Sequence, residues 1–284
     1  MRTVLPADLD PVQTNALLCG GVGPRPIALA STVSPGGIRN LAPFSFFNAF
    51  GSNPPMVAFA PNRRGRDGSV KDTYQNATAT REFVIAAVTH AMLQQMNVAS
   101  AEYPEGVDEF VKSGLTPLPA RIVAPALVGE SPFQMECRLF REVELGRGPG
   151  SGLMLIGEVV AFHYREDFLV DGVLHPDRLD LVGRNGGAFY TRASGRAILQ
   201  VAKPVGRPIG YDALPAALKA SRILTGNDLG RLANSAELPD PGAAPASPDD
   251  PRSPEALERA IHEALEREEL GEAWRLVGRR LRVT

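Results

Sequence analysis

Arg63, Arg64, Arg66 and Lys71 place four cations within nine residues, in a Gly-containing stretch that runs straight into Asp72-Thr73. A phosphomonoester carries close to two negative charges. Clustered Arg and Lys side chains, hydroxyls and the free amides of a helix start are the groups that compensate it. Each charge-assisted hydrogen bond contributes about 1.5 to 3 kcal/mol. Taken alone, the stretch reads equally well as a solvated basic face. Earlier in the chain, Asn40-Leu41-Ala42-Pro43-Phe44-Ser45-Phe46-Phe47-Asn48 alternates three phenylalanines with small polar groups around a rigid proline. Apolar rings flanked by hydroxyls and amides suit a flat heteroaromatic guest with polar edges, and the competing reading is that Phe44, Phe46 and Phe47 are core.

Other chemistries lack their signatures. No nucleophile elbow, H-E-x-x-H pair, Walker lysine loop or complete G-x-G-x-x-G is present; Gly21-Val22-Gly23 and Gly146-Arg147-Gly148 begin the last pattern and read as turns. His90, His163, His175 and His262 show no metal-ligand spacing, so no metal is expected, and only His175, in a polar loop, stands out as a weak catalytic candidate. Cys19 and Cys137 stand apart, which fits reduced thiols rather than a disulfide framework. The formal charge of -2 lacks the basic excess that nucleic acid binding needs. No run approaches the length of a membrane span and no apolar leader is evident, so a cytoplasmic protein is expected.

These residues need a scaffold, and the pattern predicts a mainly β one. Gly (28) and Pro (25) are abundant, which implies many turns. Strand-like runs at 27–33, 38–41, 44–50, 56–60 and 83–88 are separated by turn chemistry such as Ser34-Pro35-Gly36-Gly37 and Asn53-Pro54-Pro55. A longer pair, 133–145 and 153–164, flanks the Gly-rich turn at 146–152. Helical periodicity is confined to short segments at 72–80, 91–98 and 107–112, so strands and helices do not alternate as a doubly wound sheet demands. Composition changes after Pro204. Six prolines fall in residues 239–254, which read as an extended linker. Ser253 can then cap a helix with Pro254 at its first position and Leu257, Ile261 and Leu265 as its apolar stripe, with an interruption expected at Gly271. The division expected is therefore 1–203 and 204–284.

The ordered motifs P-R-P-I-A at 24–28 with Ser31-Thr32, N-L-A-P-F-S-F-F-N at 40–48, S-N-P-P at 52–55, N-R-R at 62–64 with K-D-T at 71–73, and E-F-V at 82–84 together resemble the flavin reductase family of FMN-binding split barrels, which includes the flavoredoxin-like proteins. The resemblance spans roughly 15–200 and implies a Greek-key split β-barrel with short connecting helices, here carrying a C-terminal helical extension. It implies a homodimer with FMN near the interface. Asn40, Leu41, Ala42, Pro43 and Phe44 would then line the isoalloxazine and Ser45 its polar side. Arg63, Lys71 and Thr73, with Asp72 between them, would hold the phosphate, with Arg64 and Arg66 as competitors for Arg63's part. Arg184, Gly186 and Tyr190 would return to the flavin. The activity implied is NAD(P)H-dependent reduction of flavin or another small acceptor through bound FMN. No catalytic side chain is then required, because the cofactor carries the chemistry. A partner oxygenase could take the electrons; the rival reading is an FMN-binding carrier reduced by another protein.

Overall fold

In the computed structural model, which describes residues 1–201, 203–204, 206–238, 247–248 and 250–283, the turn at Ser34–Gly37 closes a hairpin. Gly37 adopts φ +84°, a conformation open to glycine, and Ile38 lends its carbonyl to the Ser34 amide at 2.8 Å. The strands so joined, β1 (Ala28–Val33) and β2 (Arg39–Phe44), pair antiparallel with Thr32 opposite Asn40. A short helix, α1 (Pro11–Gly21), precedes them, with Asp10 and Gln13 forming a capping box at its start. After β2 come β3 (Phe47–Ser52), β4 (Pro55–Phe59), α2 (Asp72–Thr80), β5 (Glu82–Ala87), α3 (Leu93–Ala99) and α4 (Glu109–Ser113). Two-residue ladders follow at β6 (Pro117–Leu118) with β7 (Leu127–Val128) and, later, β10 (Leu169–Val170) with β11 (Val173–Leu174). Between these ladders run the long strands β8 (Phe133–Glu144) and β9 (Leu153–Tyr164). A single turn, α5 (Pro176–Leu179), leads into the hairpin β12 (Leu181–Arg184) and β13 (Tyr190–Ala193).

Seven strands form one antiparallel sheet in the order β2-β1-β5-β8-β9-β4-β3. Its edges, β2 and β3, are consecutive in sequence and separated only by Ser45 and Phe46. Three residue steps span at most about 11 Å, so the sheet must curl until its edges nearly meet. That is a barrel with a seam, the mainly β architecture expected. Register shifts in β3/β4 and twice in β8/β9 supply the bending. Inside, Phe44, Phe59 and Phe83 pack in succession, the first pair tilted and the second edge-to-face, with ring centroids 5.4 and 5.3 Å apart. A second cluster, including Leu29, Leu41, Met92, Met96 and Phe110, seats α3 and α4. Among the described residues, no helix is long and apolar enough to cross a membrane.

The chain divides into two compact units, Met1–Leu199 and Gln200–Thr284. The second is helical: α6 (Ala216–Lys219), α7 (Gly226–Ala233), α8 (Pro254–Glu266) and α9 (Leu270–Arg280) surround Leu218, Leu232, Leu257, Ile261 and Trp274. Ser253 caps α8 as its sequence position predicts, its hydroxyl accepting from the Ala256 amide. The expected interruption at Gly271 is displaced: the chain breaks after Arg267, Glu268 takes the left-handed φ of +63°, and Gly271 lies inside α9. Residues 239–246 and 249 of the expected linker lie outside the described residues.

Candidate functional site

Two adjoining clefts open beside the seam, sharing Pro43 and Ser100 in their walls. The smaller, about 110 Å³, brings Asn40, Ala42 and Phe44 of β2 together with Arg64, Lys71, Asp72 and Thr73. The two segments singled out from sequence therefore meet. Lys71 occupies the cap position of α2, and its ammonium lies 5.2 Å from the centre of the Phe44 ring. It makes no ion pair among the described residues. Burial, aided by the neighbouring Arg64, pulls its pKa below the usual lysine value. Arg64 lies 3.8 Å from both Asp72 and Glu102.

The three arginines point to different places. Arg63 turns away from the cleft to pair with Glu144 at 2.7 Å and to donate to the Gly68 carbonyl, while the exposed Arg66 pairs with Asp67 and Glu102. Among the three, Arg64 is the one that lines the small cleft. Thr73 is buried and donates its hydroxyl to Asn40 Oδ1 at 2.7 Å. Leu41 turns its side chain into the core and its amide to Glu109, at 2.9 Å. Asp72 stands at the first turn of α2.

The wider cleft, about 380 Å³, is lined by Arg25, Ser45, Arg184, Asn185, Gly187 and Tyr190, among others, and by no carboxylate. Arg25 is buried and donates to the Cys19 and Val22 carbonyls at the end of α1, to the Asn185 carbonyl at 3.2 Å and to Ser45 Oγ at 3.4 Å. It thus ties three distant segments under the cleft floor. Arg184 lies over the Tyr190 ring, 4.5 Å from its centre, and donates to the Tyr190 hydroxyl and the Gly187 carbonyl. Gly186 does not line the cleft; a Cβ there would sit 3.0 Å from Gly20 Cα, so its bareness lets this loop close on the end of α1. His175 sits at the N-cap position of α5, without a capping bond from its side chain, and lines neither cleft.

The phenylalanines do not form a bed. Phe44 is core that also lines the small cleft, Phe47 packs on the barrel core, and Phe46 lies 5.8 Å from the Arg25 guanidinium. Tyr190 is the aromatic ring of the wider cleft. Two residues that the sequence does not single out also line these clefts: Arg25, between the prolines of P-R-P-I-A, and Glu109, whose helix start gives no local sign of its partners. One histidine does show ligand-like spacing: in the second unit, ligand atoms of Asp228, His262 and Glu266 lie within 4.8 Å. They are already engaged, Asp228 with Thr225 and His262, Glu266 with Arg231, and so act as a helix staple.

Residues 21–179 match the flavin reductase-like domain. The chain belongs to that family. A protein of Deinococcus radiodurans is 39% identical over 178 residues, covering 60% of this chain and 76% of that one. Among solved structures, nitrilotriacetate monooxygenase component B from Bacillus cereus superposes with a TM-score of 0.66 at 30% identity, covering 70% of this chain and 98% of that one. The 2-nitrobenzoate 2-nitroreductase of Pseudomonas fluorescens gives a TM-score of 0.62 at 27% identity, with 72% and 98% covered. The flavin reductase-like domain is thus an oxidoreductase of a flavin-binding family, and the match ends before Arg184 and leaves the second unit outside it. The donor set fits a flavin phosphate ester: a partly buried ammonium with no ion pair among the described residues, in a narrow cleft where Arg64 offsets the carboxylates of Asp72 and Glu102, and beside it a wider one edged by guanidinium, amide and hydroxyl groups.

Proposed function

We propose that this domain binds FMN across the two clefts and reduces it, or a small acceptor through it, at the expense of NAD(P)H. The carrying observation is Lys71, a partly buried cation without a carboxylate partner, in a cleft that opens at Pro43 and Ser100 into a wider cationic one. Lys71 and Arg64 would hold the phosphate; Asn40, Ala42, Pro43 and Ser45 would edge the ring; Arg184 and Tyr190 would close the far side. When bound, FMN supplies the two-electron chemistry. The chain's own residues bind and orient. Arg25 holds α1 and the Asn185 loop against Ser45 at the end of β2, which fixes the width of the larger cleft, and Arg184 offers an anionic co-substrate a guanidinium that pairs with no carboxylate among the described residues.

Mixing FMN-loaded protein with NADH or NADPH without oxygen tests the reading. The flavin absorption is expected to bleach with at least one of them; persistence with both overturns the reductase assignment and leaves a carrier reduced by another protein. Likeness to a monooxygenase component supports an oxygenase as the onward acceptor. A homodimer is part of the same reading, because α1 has no buried residue although it carries Val12, Leu17 and Leu18, and edge strand β3 exposes Phe50. Light scattering is expected to give twice the chain mass, and Leu17→Glu with Leu18→Glu to reduce it.

A further inference from the structure

A buried carboxylate lines the small cleft without pairing with its cations. Glu109, on α4, is 7% exposed and lines that cleft, yet pairs with no cation among the described residues. Its Oε1 accepts from Asn40 Nδ2 at 3.1 Å and its Oε2 from the Leu41 amide at 2.9 Å. Asn40 Oδ1 in turn accepts from the hydroxyls of Thr73, at 2.7 Å, and Thr32, at 3.1 Å, and Thr32 accepts from Asn76 Nδ2 at 3.2 Å. The chain of bonds thus joins α4, β2, β1 and α2.

Hydroxyls can donate or accept, and a side-chain amide can turn over, so most of this chain could run in either direction. An ionised carboxylate only accepts. Glu109 therefore sets the direction: Asn40 must present its NH2 group to Glu109 and its oxygen to the two threonines. The Thr73 proton is then committed to Asn40, not to a guest in the cleft.

We propose, on the basis of the FMN reading above, that Glu109 is a positioning residue for the flavin, acting through Asn40 and the Leu41 backbone, and that phosphate recognition belongs to Lys71 and Arg64 without a hydrogen bond from Thr73. Replacing the carboxylate by an amide puts an NH2 group against either the Leu41 N–H or the Asn40 NH2, both donors; turning Asn40 over to relieve this only moves the conflict to Thr32, whose hydroxyl then faces the NH2 groups of Asn40 and Asn76, so one buried donor is left unsatisfied. The ring-edging strand then shifts, while the cations remain.

Dissociation constants for FMN and for riboflavin, which lacks the phosphate, separate the roles. In E109Q both ligands are expected to weaken by about tenfold or more, the equivalent of one unsatisfied buried donor, with their ratio kept. The double variant E109Q/N40A should lose less than the product of the two single effects, since the variants share the Glu109–Asn40 contact. T73V should keep the wild-type FMN to riboflavin ratio. The proposal is overturned if E109Q lowers only the melting temperature, if it weakens FMN selectively, if its effect multiplies with N40A, or if T73V loses FMN selectivity. Should E109Q fail to fold, the T73V ratio still decides. Wild-type protein that binds neither flavin overturns the FMN reading itself.

Discussion

Lys71 and Arg63 lie eight positions apart in one cationic stretch, yet only Lys71 faces the small cleft, where it has no carboxylate of its own. A charge-assisted bond of about 1.5 to 3 kcal/mol corresponds to roughly ten- to a hundredfold in affinity. Lys71→Gln is accordingly expected to weaken FMN by at least tenfold and riboflavin far less, as fluorescence titration would show. The stretch was legible only together with the motif at 40–48, since four clustered cations alone also suit a solvated face. Which arginine points inward was not, because that depends on Glu144, which lies 81 positions further on and draws Arg63 away. Glu109 escaped for the same reason: in sequence it is one acid at a helix start, and its partners Asn40 and Leu41 are 69 and 68 positions earlier.

Strand pairing explains two sites whose importance no local pattern announces. Gly157 of β9 lies over the buried Phe83 ring, and an added Cβ would come within 2.3 Å of it. Gly157→Ala is expected to destabilise the domain by about 1 to 3 kcal/mol, the usual cost of overfilling a packed core, measurable by denaturant unfolding. Glu136 of β8 is fully buried and receives the amides of Arg121, Ile122 and Val123 at 2.6 to 2.8 Å, with His163 at 2.6 Å. Burial alone would raise its pKa, but these donors outweigh it and hold the carboxyl below its usual range. A depressed carboxylate adds stability that is present above the unfolded-state pKa and lost as pH falls through the native one. Melting temperatures of wild type and Glu136→Gln should therefore differ most near neutrality and converge in acid. Hairpins were readable from their turn residues, and 153–164 emerged with the bounds expected. Such side-chain staples were not, because they join residues far apart in sequence.

At the scale of the molecule, the stripe of Leu257, Ile261 and Leu265 indicated one part of the second unit's core, but the part contributed by residues 214–232 was not legible. Leu214, Leu218, Leu224, Leu229 and Leu232 sit among Pro, Gly and polar residues that mask any long helical period. A 1–199 fragment contains the whole family match and both clefts, and is expected to fold and retain FMN affinity within about threefold, well under the tenfold that 1.4 kcal/mol represents. Equilibrium dialysis of fragment and full chain would test this. The seam carries a separate consequence. Ser45 and Phe46 are the whole tether between the first and last strands of a curled sheet, so the polypeptide has no slack there. Extra residues are tolerable in the Gly-rich turn at 146–152, where they only lengthen a loop. Between Phe44 and Phe47 they would relax the hoop that keeps both pocket walls facing one another.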